Sequence, residues 1–180
     1  MLLLFVTHLL PRVAALAFAL GLAARWGRPA GPLVWLGRSP RLGPTAWRLG
    51  CLLLWLHAAG AWWLVHAASW QQMWQHTADV TNRVTGINTG SGVVWNLVAL
   101  VIWTVDALRP WPGDAADTPA NATSSRWRRA GEIYLAFLWL QAAVVFATPG
   151  ARWVMGLLAV LLGWGIVASR RAATSPGHDA

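Results

Sequence analysis

The chain contains no lysine and a single cysteine, and only 11% of its residues are charged. Each shortage excludes something. With Cys51 alone, no internal disulfide and no thiolate metal cluster can form. Soluble domains carry roughly 25% charged residues. A deficit this deep, spread along the whole length, fits a chain solvated by lipid. Isoleucine and asparagine are also scarce, at four each, while arginine, alanine, glycine, leucine and tryptophan abound. That balance is the mark of a GC-rich genome, so the choice of arginine over lysine carries no argument for phosphate recognition. Catalytic signatures are missing as well. HExxH, GxSxG, the P-loop and CxxC do not occur. The few serines sit at loops or segment ends, which argues against a membrane serine protease.

What is present is apolar. Hydrophobic residues make up 57% of the chain, and they fall into five segments, each close to the ~20 residues that cross a bilayer. The expected spans are 1–24, 49–69, 91–108, 130–148 and 151–169. Residues 170–180 read as a disordered cytoplasmic tail. The fold expected is therefore all-α, an integral membrane bundle forming one transmembrane domain over 1–169. A chain of 180 residues then has no room for a separate soluble domain, which needs ~50 residues or more.

The fourteen cationic residues are all arginine, and their placement sets an orientation. Arg25, Arg28, Arg38, Arg41 and Arg48 lie in the first gap. Arg109, Arg126, Arg128 and Arg129 lie in the third. Arg170 and Arg171 open the tail. The alternate gaps hold only Arg83 and Arg152. Cytoplasmic loops concentrate arginine, so the N-terminus is expected outside and the C-terminus in the cytoplasm. A cleaved signal peptide is the rival reading of the N-terminus. It is weakened by the apolar stretch 1–10, where a cationic region belongs. The +8 net charge resembles that of a nucleic-acid binder. Here the arginines flank apolar spans, so the partners expected are anionic lipid headgroups, with no nucleic acid.

Fifteen tryptophans are present. Trp26, Trp35, Trp47, Trp70, Trp74, Trp111, Trp127 and Trp153 lie near span ends, the aromatic-belt pattern. The other seven lie within spans, where packing or lipid contact accounts for them. After the second span, Trp70, Met73, Trp74, Thr77, Val80, Val84 and Ile87 follow helical spacing. Gln71, Gln72, Gln75, His76, Asp79, Asn82 and Arg83 take the other side. This predicts an external amphipathic helix, with Asp79 and Arg83 as an i,i+4 pair. The glycine-rich run 86–92 ends it, and Ser91 is a candidate N-cap for the third span.

Polar residues inside spans are the candidate functional set, because hydrocarbon tolerates them only with partners. Depth at 1.5 Å per residue places Arg12 ~18 Å and Asp106 ~22 Å from the outer face. The two are expected to form an intramembrane ion pair, with Glu132 as the alternate partner of Arg12. His8 and His57 fall within ~5 Å of the same height. That spacing suits a haem b held between two helices. With His66 added, a quinone is the alternative ligand. The bland reading is hydrogen bonding across a helix interface. His66, His76, Asp79 and Asn96 form a candidate outer polar cluster, although His76 and Asp79 alone make a poor metal site. No metal is expected.

Function follows only in outline. The leading expectation is a structural or accessory subunit of the bacterial cytoplasmic membrane, with other membrane subunits as partners, and not an enzyme. The alternatives are a haem b- or quinone-binding redox protein, and a small transporter or channel using Arg12 and Asp106.

Overall fold

The computed structural model describes residues 8–26, 41–111 and 122–145. It is all-α. Among these residues the helices are α1 (Leu10–Trp26), α2 (Leu42–Leu64), α3 (Trp70–Thr85), α4 (Gly92–Ala107) and α5 (Ala122–Val145). The expected span 151–169 and the tail 170–180 lie outside the described residues.

The helix limits differ from the expected spans at stretches rich in arginine, proline and glycine, which continue the helices. α2 starts at Leu42 and α5 at Ala122. Pro44 falls in the first turn of α2, where no intrahelical N–H is needed. Arg126, Arg128 and Arg129 are helical residues of α5. α4 matches its expected limits within a residue at each end. Among the described residues, no helix is long and apolar enough to cross a membrane. The reasons are visible in each. α1 has 17 residues and α4 has 16, about 24–26 Å at 1.5 Å per residue. α2 has 23 residues but includes Arg48, His57 and four tryptophans. α5 has 24 residues and opens with three arginines and Glu132.

Close approach of α1 and α2 builds the bundle. Small residues make it possible. A Cβ on Gly21 would stand 2.8 Å from the Trp47 ring, and one on Gly50 would stand 2.9 Å from Trp103 and 3.2 Å from the Ala14 carbonyl. The seam is antiparallel, since Gly21 meets Trp47 while Ala14 meets Gly50. Four helices then contribute to one core. Phe18 of α1, Trp47 and Cys51 of α2, Trp103 of α4 and Leu135 of α5 are all buried. Phe18 lies 5.3 Å from both Trp47 and Trp103, ring centroid to centroid, and the two indoles are 5.4 Å apart. Trp139 of α5 closes the group edge-on to Trp103.

α3 is the amphipathic helix expected from its spacing. Ser69 caps its start, accepting from the Gln72 N–H at 3.3 Å. Gly86 ends it with φ 76°, a left-handed conformation that only glycine adopts freely. Its buried side is narrower than the expected stripe. Thr77 and Ala78 are buried, while Trp70, Trp74, Val84 and Ile87 are exposed. Arg83 donates to the Asp79 carbonyl at 3.3 Å, so this i,i+4 contact runs to the backbone and not to the carboxylate. The Ser91 side chain makes no cap hydrogen bond to α4. Its hydroxyl is taken up locally, accepting from Thr89 Oγ1 at 3.1 Å.

Candidate functional site: an arginine collar at the end of α4

The last turn of α4 leaves carbonyls without intrahelical partners, and it carries the negative end of the helix dipole. Asp106 adds a full negative charge there. Side chains from three other helices answer it. Arg25, in the last turn of α1, donates from Nη1 to Asp106 Oδ2 and to Glu132 Oε1, the latter at 2.9 Å. Arg128 of α5 donates from Nε to Asp106 Oδ1 at 3.1 Å and from Nη2 to the Pro110 carbonyl at 3.2 Å. Arg48 of α2 donates from Nε to the Ala107 carbonyl at 3.3 Å. One helix terminus is thereby held from α1, α2 and α5 together.

Burial makes the collar unusual. The Arg25 side chain is 2% exposed and that of Glu132 is 6% exposed. The Arg25 guanidinium lies between two indoles, 4.1 Å from the Trp47 ring and 4.3 Å from the Trp111 ring. A desolvated cation on an aromatic face gains ~2 kcal/mol, which offsets part of what the guanidinium loses on leaving water. Two cations, Arg25 and Arg128, meet two anions, Asp106 and Glu132. The paired groups are therefore neutral as a set. Chemically, this arrangement clamps helices together. Its carboxylates are already engaged by guanidinium groups.

Asp106 does not form the expected ion pair with Arg12. Arg12 is exposed near the start of α1. Asp106 pairs with Arg25, 13 residues farther along the same helix, or ~20 Å at 1.5 Å per residue. Asp106 lies at the end of α4, level with the end of α1, and Glu132 likewise pairs with Arg25 and not with Arg12. Sequence reasoning missed Arg25 and Arg128 because both were assigned to headgroup-facing gaps. Two signals pointed to them. Arg128 and Glu132 stand at i,i+4 spacing, which requires that stretch to be helical. Tryptophan also recurs beside the arginines at these ends.

The histidines divide. His66 lies in the turn beyond α2, is buried, and faces His76 of α3 with ring centroids 5.4 Å apart. Burial first, and then the charge of His76, push the His66 pKa down. This turn is strained, with φ of 47° at Ala67 and 55° at Ala68. It is held by the Ala68 N–H on the Trp62 carbonyl at 2.8 Å. Two members of the expected outer cluster, His66 and His76, are thus brought together. The other two, Asp79 and Asn96, are exposed. His8 is exposed and His57 half-buried. Among the described residues, no group of three or more His, Cys, Asp or Glu is placed to hold a metal ion. No protein-family model, curated protein or solved structure matches this chain.

Proposed function

We propose that the protein is a structural or accessory subunit embedded in a membrane, with the arginine collar as its internal clamp. The observation that carries this reading is an inverted surface. Large apolar side chains stand exposed on every packed helix. They include Leu16 and Leu20 on α1, Leu52 and Leu56 on α2, Val98 and Val101 on α4, and Phe137 and Leu140 on α5. Asp106 and Glu132 are buried between the helices. Water-soluble proteins seldom expose large contiguous apolar surface or bury charge in this way, whereas charged groups in lipid turn inward and pair.

Three further features support the reading. The apolar run that begins at Met1 extends the hydrophobic length of α1 by sequence, and a second apolar run occupies 151–169. The arginine asymmetry supports a collar on the cytoplasmic side and α3 on the outer surface. Among the described residues, little polar lining is available for a conducting path, because the collar carboxylates are engaged by arginines. A clamp suits a scaffold subunit better than a carrier. Alkaline carbonate extraction of expressing cells tests the embedding. The protein is expected to stay with the membrane pellet, and its release into the soluble fraction would overturn the proposal.

A further inference from the structure

A groove of about 390 Å³ lies between α4 and α5 beside the collar. The two helices are antiparallel there. Arg128 meets Asp106 at one end, while the Tyr134 hydroxyl donates to the Trp95 carbonyl at 3.1 Å towards the other. Both walls grade in the same direction. Along α4 the lining passes from Val101 through Val105 and on to Arg109, two residues beyond the helix, and on α5 from Leu135 to Arg128 and Trp127. Each wall covers ~12 Å at 1.5 Å per residue. One end of the groove is therefore cationic and aromatic, and the other is hydrocarbon.

The polar groups left unmatched are donors. Arg109 is exposed, and its guanidinium has no carboxylate partner among the described residues. The indole N–H of Trp47, another lining residue, is buried without a hydrogen-bond partner among them. Asp106 and Glu132 are both engaged by arginine. An occupant that complements this surface brings negative charge to the arginine end and an alkyl chain to the other. Trp127, 73% exposed, stands where an interfacial indole belongs.

We propose that the α4–α5 groove binds an anionic phospholipid. Its phosphate sits on Arg109 and Arg128, and one acyl chain runs along Val105 and Val101. The assignment rests on the membrane-embedded reading and adds a specific lipid site to it. The test uses the full chain, purified in detergent, delipidated and titrated in native mass spectrometry. The lipids are dioleoyl phosphatidylglycerol and dioleoyl phosphatidylcholine. The anionic lipid is expected to bind at least about fivefold more tightly, the factor that one arginine near an anionic surface is worth. Arg109→Gln is expected to bring the two lipids close to parity. Val101→Trp, which fills the apolar end, is expected to weaken both.

Equal binding of the two lipids by the native chain would overturn the proposal. So would an undiminished preference in Arg109→Gln. Glycerol 3-phosphate carries the charge without the chains, and its competing as well as the lipid would mark a small-anion site instead. Failure of the underlying reading is separable. A protein released by carbonate is not embedded at all, whereas one that stays in the pellet without headgroup preference overturns the groove assignment alone.

Discussion

Arg25 is the residue on which most of the packing converges. Its guanidinium bridges Asp106 and Glu132 and lies between Trp47 and Trp111. Removing one member of a buried ion group leaves the others uncompensated, at about 3–5 kcal/mol, whereas replacing the partners together by apolar groups is often near neutral. Arg25→Leu is therefore expected to destabilise the bundle by about 3–5 kcal/mol. Asp106→Leu is expected to do the same, and the double variant to cost clearly less than the sum. Unfolding in detergent, analysed as a double-mutant cycle, measures this coupling. Strict additivity would mean that the pair does not act as a unit. At this scale the sequence signal was partial. Asp106 and Glu132 stand out as acids in an apolar setting. The choice of Arg25 over Arg12 was not legible, because it depends on where α1 and α4 end relative to each other.

Among the elements, the α1–α2 seam limits what can change. Gly50 backs onto Trp103 and onto the Ala14 carbonyl. Neither the fully buried indole nor helix backbone can move aside easily. Gly50→Val is expected to destabilise by about 1–3 kcal/mol through overpacking. Leu52→Ala lies on the exposed side of the same helix, and is expected to change stability by less than about 0.5 kcal/mol. Thermal unfolding in matched detergent compares the two. Equal effects would contradict the seam. Elements with clean periodicity or clean boundaries were readable in advance, as α3 and α4 show. The starts of α2 and α5 were not. Arg48 and Arg128 look like loop residues by composition, yet both are helical; Arg48 donates to the Ala107 carbonyl at the end of α4 and Arg128 to the Pro110 carbonyl just beyond it. Such a role is a tertiary one that no local pattern encodes.

At the scale of the whole molecule, the described residues bury Asp106, Glu132 and the Arg25 side chain while large apolar side chains stand exposed on the helices. The aromatic core of Phe18, Trp47, Trp103 and Trp139 fills the space between four helices, and the collar closes it at one end. The all-α architecture was legible from composition and segment length. The helix limits were not, because hydropathy ends a segment at the first arginines, whereas α2 and α5 run on through Arg48 and through Arg126, Arg128 and Arg129. The proposed embedding in lipid accounts for these exposed apolar side chains, and on that proposal the arginine asymmetry sets the collar end toward the cytoplasm.

Reporter fusions in a bacterial host, placed after Arg41, Ile87 and Ala122, test that claim most directly. The fusions at Arg41 and Ala122 are expected to report the cytoplasm, and the fusion at Ile87 the opposite side. All three fusions reporting the same side would contradict it.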